Sequence, residues 1–277
     1  MYEVSIMRKL FVEIFIIVTI ITVAIIGIII GNGVYQTQKM FGAIEISDYA
    51  GVKHAIEKGA WVNARKYLLH IPNLIPQNPT PLIIACEKGD EKIVSMLLDK
   101  GADINKEDSY TGQTPLLAAL HGTKKNRFSL AMFLLEKGAD PFAVQKTTSP
   151  LEETLVVLES DDKQTIEDGF KLFKYLIEQQ VDLDICKGKE SVLTYASHYG
   201  NNNVVEFLIK EDFFDINSKD LAGDTALIVA TKNEQAQIVY LLLELGADKF
   251  PMDSKGKTAY DYAVEKGYAE LAEILKP

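Results

Sequence analysis

The residues able to do chemistry are few and scattered. Four histidines, His54, His70, His121 and His198, fall in separate stretches of the chain. None stands at metal-ligand spacing from a cysteine or another histidine. His198-Tyr199 precedes Gly200, which suits a polar residue at a helix end better than a ligand. The adjacent carboxylates Asp161 and Asp162 lie in a polar stretch that a solvated turn explains better than acid–base work. Gly31-Asn32-Gly33 has neither the preceding strand nor the following helix of a phosphate loop. There is no G-x-S-x-G elbow for a nucleophilic serine. The expectation is a non-enzyme with no catalytic residue, no metal site and no cofactor.

Composition agrees with a folded chain and by itself names no chemistry. Of 277 residues, 47% are hydrophobic and 25% charged, which excludes wholesale disorder. Twenty-nine bases against 39 acids give a net charge of −10, the wrong sign for a nucleic-acid partner. Two cysteines, Cys86 and Cys186, exclude a disulfide scaffold.

Two kinds of element must position whatever this chain presents. The first is apolar: Leu10–Ile30 is broken only by Glu13 among charged residues. As a helix it spans roughly 31 Å, the thickness of a hydrocarbon core. It is too long for the apolar region of a cleaved signal peptide. Arg8 and Lys9 precede it, and the next base is Lys39. That asymmetry predicts a cytoplasmic N-terminus, an uncleaved anchor over residues 1–33 and a juxtamembrane linker over 34–40. The rest of the chain, 41–277, is then exported, and the short basic end suggests the periplasmic side of a bacterial inner membrane.

The second is a repeat. Thr80-Pro81-Leu82, Thr114-Pro115-Leu116, Ser149-Pro150-Leu151, Ser191-Val192-Leu193, Thr225-Ala226-Leu227 and Thr258-Ala259-Tyr260 recur at spacings of 34, 35, 42, 34 and 33. Five residues after each Thr or Ser comes Ala85, Ala119, Thr154, Ala196, Ala230 or Ala263; nine after it, three copies have Gly89, Gly200 and Gly267. Apolar pairs four residues apart, such as Ile93-Val94 and Leu97-Leu98, make one face of a second helix. Thr caps the first helix, Pro opens it, and Gly ends it. Each unit is a helix, a turn, an antiparallel helix and an extended tip, which must stack to bury its face.

With these motifs the chain resembles the ankyrin-repeat family, whose signature is T-P-L-H-x-A at a period of 33. TPLIIACEKGDEKIVSMLLDKGADIN at 80–105 carries it best, and a degenerate first copy shows at Val52–Ala60. The fold implied is an all-α solenoid of seven units over 41–277 behind one N-terminal transmembrane helix. The signature histidine is replaced by Ile83, Leu117, Glu152, Thr194, Ile228 and Asp261. Copies one, three and four are enlarged, the fourth by the acidic stretch LESDDKQTIEDG, read as an exposed loop.

The resemblance implies protein binding through the tips and first helices. Carried onto this chain, the tip positions are Trp61; Lys106, Glu107, Ser109 and Tyr110; Phe142 and Val144; Lys187 and Lys189; Lys219 and Leu221; Phe250 and Met252. Trp61, the single tryptophan, is read either as a partner contact or as packing; Phe142 is read first as packing. The partner is another protein, the membrane contact is residues 10–30, and no nucleic acid is involved. A sharper expectation is an immunity protein that neutralises a periplasm-acting toxin, such as a secreted lipase or cell-wall hydrolase. A host-directed effector and an envelope scaffold are the other readings.

Overall fold

The computed structural model describes residues 2–66, 78–122, 125–143, 148–157, 163–179 and 191–277, with 2–14 described by backbone alone. The described residues form fourteen helices, with an isolated bridge between Lys219 and Thr225. In order these are α1 (Tyr2–Glu45), α2 (Tyr49–Glu57), α3 (Pro81–Glu87), α4 (Glu91–Asp99), α5 (Pro115–His121), α6 (Arg127–Glu136) and α7 (Pro150–Val157). Then follow α8 (Lys163–Glu178), α9 (Val192–His198), α10 (Asn202–Lys210), α11 (Ala226–Lys232), α12 (Ala236–Glu244), α13 (Ala259–Lys266) and α14 (Ala269–Leu275). They pair into seven antiparallel units that stack in sequence order.

The expected local chemistry builds these helices. Thr80 sits in extended conformation and its hydroxyl accepts from the Ile83 amide at 3.2 Å. Thr114, Ser191, Thr225 and Thr258 repeat the cap on Leu117, Thr194, Ile228 and Asp261. Each such cap stabilises its helix by about 1 kcal/mol. In the fourth and seventh units Glu152 and Asp261 stand where the signature histidine would. They accept from the backbone amides of Ser149 and Thr258, which closes a reciprocal capping box.

The first helices α3, α5, α9 and α11 are sandwiched and buried on nearly every side. Pro81 through Cys86 are all buried, as are Pro115 through Leu120. The small position lies against the neighbouring helix, and Ala85, Ala196, Ala230 and Ala263 are fully covered. In the fourth unit Thr154 takes that place and returns its hydroxyl to the Pro150 carbonyl at 2.7 Å. Second helices bury one stripe, such as Ile93, Val94, Met96 and Leu97 of α4.

Two expectations change. Residues 34–40, expected as a linker, continue α1 without a break, and α1 ends only at Glu45. Gly33, Thr37, Met40, Phe41 and Ile44 fall on one helical face and are buried. The last three turns of α1 therefore serve as the first helix of the first unit. The acidic insertion is also less of a loop than its composition implied. Residues 163–169 form the first turns of α8, where Thr165 and Gly169 are buried on the stripe that Leu172, Phe173 and Leu176 continue. Residues 158–162 lie outside the described residues.

From Phe15 to Ile30 every side chain of α1 is exposed. One helix of the described chain is long and apolar enough to cross a membrane, its best window having a mean hydropathy of 2.7 with none of it buried.

Candidate protein-interaction face

Three tips carry an asparagine at the same place, and it ties each to the next. Asn63 donates to the Gly101 carbonyl at 2.8 Å and accepts from the Asp103 amide at 2.7 Å. Asn105 does the same with Gly138 and Asp140, and Asn217 accepts from Asp248. Within each tip a carboxylate folds the turn. Asp103, Asp140, Asp215 and Asp248 accept from amides two residues on. Asp108 gathers the amides of Asn78, Tyr110 and Thr111 at 2.7–2.9 Å and holds its carboxyl below the ordinary range, although burial pushes it the other way.

This ladder fixes where the expected binding residues point. Tyr110, Leu221, Phe250 and Met252 stand out from the tips, with Leu221 71% and Phe250 64% exposed. Phe142, read first as packing, is 56% exposed and belongs with them. Glu107 and Ser109 are exposed beside Tyr110. Lys106 is different: its ammonium donates to the Asn63 carbonyl at 3.1 Å, so it joins two tips. Lys219 likewise donates to the Met252 carbonyl at 2.7 Å. Trp61 lies against α1. A Cβ on Gly33 would come within 2.7 Å of its indole, and the Trp61 amide donates to the Thr37 hydroxyl at 2.9 Å. Val144, Lys187 and Lys189 lie outside the described residues, as do His70, Cys186 and the pair Asp161-Asp162.

The groups with the most chemical potential are used internally. Cys86 is wholly buried, and burial pushes its thiol up, away from the reactive thiolate. His121 pairs with Glu153 at 3.2 Å across the first helices of units three and four. The richest cluster joins the last two units. Lys232 reaches Asp224 at 2.7 Å and Asp253 at 3.4 Å, and its ammonium sits 4.4 Å from the centre of the Tyr262 ring. The Tyr262 hydroxyl donates to Asp253 at 2.6 Å. Burial alone would raise the Asp253 carboxyl; donors from Tyr262, Lys257, Lys255 and Lys232 instead hold it far below the usual carboxylate range. Its partners are all satisfied, so the cluster reads as a clamp between units. Among the described residues no three His, Cys, Asp or Glu side chains converge as a metal site. Neither the clamp nor the asparagine ladder was foreseen; the repeated position of Asn63, Asn105 and Asn217 was the available signal for the ladder.

Comparison with known proteins matches this architecture. Residues 44–145 and 214–277 fit the family model described as ankyrin repeats, three copies. The ankyrin repeat protein YahD of Escherichia coli (strain K12) is 29% identical over 203 residues, covering 71% of this chain and 94% of that protein. The human transient receptor potential cation channel subfamily A member 1 is 28% identical over 257 residues, covering 88% of this chain but only 20% of the channel. Among solved structures, the ankyrin repeat domain of human ASB11 superimposes with a TM-score of 0.63 at 22% identity, over 86% of this chain and 97% of that domain. That likeness concerns the fold alone.

Proposed function

The chain belongs to the ankyrin-repeat family, an architecture for protein–protein interaction, and from that premise we propose that it is a non-catalytic binding module held at a membrane by α1. The observation that carries this reading is the row of uncovered apolar side chains along the tips, Tyr110, Phe142, Leu221, Phe250 and Met252. Exposed aromatic and methionine side chains are enriched where protein partners dock. The repeats stand on the exported side, because Arg8 and Lys9 lie at the other end of the apolar run. Binding neutralises or holds the partner there.

Photo-crosslinking from positions 110 and 221 of the full chain in its own cells tests the reading. One protein should be captured from both tips and not from position 92 on α4. Capture from position 92 alone, or none from the tips, overturns it. The sharper form is immunity against an exported toxin, a lipase or cell-wall hydrolase, and the net charge of −10 supports a cationic partner surface. Expression of the chain should then protect cells challenged with the captured protein; unprotected cells exclude immunity and leave a scaffold.

A further inference from the structure

The first tip sits where the apolar run of α1 ends. That run stops at Ile30, and contact with the repeats begins at once: Asn32 donates to the Lys58 carbonyl at 2.8 Å, and Trp61 packs on Gly33 and Thr37. Gly33 is three residues past Ile30, or roughly 4–5 Å along the helix axis. The headgroup layer adds about 5–8 Å to each side of the hydrocarbon core. If α1 crosses the bilayer, as the proposed function requires, no aqueous gap separates the first tip from the lipid headgroups.

The residue types at this level suit that place. Trp61 remains 46% exposed after packing on Gly33, so its indole has a free side. Tyr35, 55% exposed, stands at the same height on α1, with the Lys39 ammonium 5.6 Å from its ring centre. Tryptophan and tyrosine concentrate at membrane–water interfaces because the ring is apolar and its N–H or O–H is polar. The corresponding tip positions farther along the array are Asp103, Asp140, Asp215 and Asp248, whose carboxylates fold their own turns. Only at the membrane end is that anion exchanged for an indole, and the Thr37 hydroxyl takes up the Trp61 amide. Charge follows the same division. Residues 34–66 hold five bases and three acids, whereas residues 67–277 hold 22 bases and 34 acids.

We propose that the tip of the first repeat is a lipid-contacting surface, with Trp61 and Tyr35 seated in the headgroup layer of the membrane that α1 crosses. Because α1 is one unbroken helix, this second contact fixes the tilt of the whole array over the bilayer. The inference rests on α1 being a span, and its test separates the two.

Trp61 is the only tryptophan, so emission excited at the red edge, where tyrosine does not absorb, reports on it alone. The chain is reconstituted in phosphatidylcholine–phosphatidylglycerol vesicles carrying a nitroxide either on the headgroup or at the acyl-chain end. The headgroup label should remove most of the Trp61 emission and the chain-end label little, with Trp61→Phe as the blank. Unquenched emission from a chain that resists alkaline extraction overturns the lipid contact and leaves the anchor standing. Stronger quenching from the chain end also overturns it, since the indole would lie in the hydrocarbon. A chain released by alkali overturns the anchor and the lipid contact together.

Discussion

The first and last repeats solve the same problem by opposite means. A stacked array must end in units whose outer face needs no further repeat. The seventh unit does this with polarity: Glu265, Lys266, Glu270 and Glu273 face outward. It also carries a full capping box at Thr258, Gly267 in the left-handed conformation, and the Asp253–Tyr262–Lys232 clamp to the unit before it. The first unit has no separate first helix. It uses Met40, Phe41 and Ile44 of α1 as its core and joins its tip to the same helix through Asn32, Gly33 and Thr37. One end is therefore held by hydrogen-bonded charge and the other by apolar contact with a helix that leads out of the domain. The difference teaches that an outer face can be made either polar, as in the seventh unit, or apolar and covered by a helix, as α1 covers the first.

The largest expected effect tests the borrowed helix. Ile44 is fully buried, and Ile44→Ala should cost about 2–5 kcal/mol. Hydrogen exchange should show the loss in α2 and the end of α1, with α13 and α14 unchanged. Loss of protection spread evenly along the array would mean that the two ends are not independent.

Next comes the clamp. Asp253→Ala leaves the Tyr262 hydroxyl and the Lys232 ammonium without this acceptor, and should cost about 2–3 kcal/mol, read as a lower unfolding midpoint of the C-terminal units. The same carboxyl gives a pH dependence. Its folded value is lowered, so the unfolded chain takes up the proton first. Its stabilisation is complete above the ordinary carboxylate value near about 4 and is lost as pH falls toward the lowered one. Asp253→Asn should flatten that acid limb; an unchanged limb would assign it to other carboxylates.

A smaller effect compares turns. Gly89, Gly200 and Gly267 adopt positive φ after their first helices, whereas Ser47 and Glu234 hold the same conformation at φ 56° with side chains that disfavour it. Glu234→Gly should gain about 0.5–1 kcal/mol, and Ser47→Gly a similar amount at the other end. Denaturant midpoints that fall would show that side-chain contacts outweigh the backbone cost.

The smallest effect on stability is Gly33→Ala. The added methyl improves helix propensity but meets the indole, so the two contributions nearly cancel. The readout is the Trp61 emission maximum, which should shift as the ring moves off α1; an unmoved maximum would contradict the packing.

Much of the fold was legible because its signals are local. Thr80, Thr114, Ser191, Thr225 and Thr258 act on amides three residues away, and Gly89 acts on its own backbone. The seven units and the apolar helix follow from such spacing alone. The end of α1 was less legible. Residues 34–40, with Gln36, Gln38 and Lys39, read as a linker, yet Gly33, Thr37, Met40, Phe41 and Ile44 keep helical spacing on one face. That stripe has meaning only once α2 and α3 are there to cover it.

The candidate face divides along the same line. Sequence placed Trp61, Lys106, Tyr110, Phe142, Leu221, Phe250 and Met252 on tips, reading Trp61 either as contact or as packing and Phe142 first as packing. Tertiary structure separated them: Lys106 is spent on the Asn63 carbonyl and Trp61 packs one side of its ring on Gly33, while Tyr110, Phe142, Leu221, Phe250 and Met252 stand clear of such contacts to α1. Caps, turns and apolar periods are settled within a few residues, so sequence by itself determined them. Which tip side chains remain for a partner depends on groups 28–43 positions away, Gly33 from Trp61 and Asn63 from Lys106. Only the stacking of one unit on the next brings those groups within hydrogen-bond or packing distance.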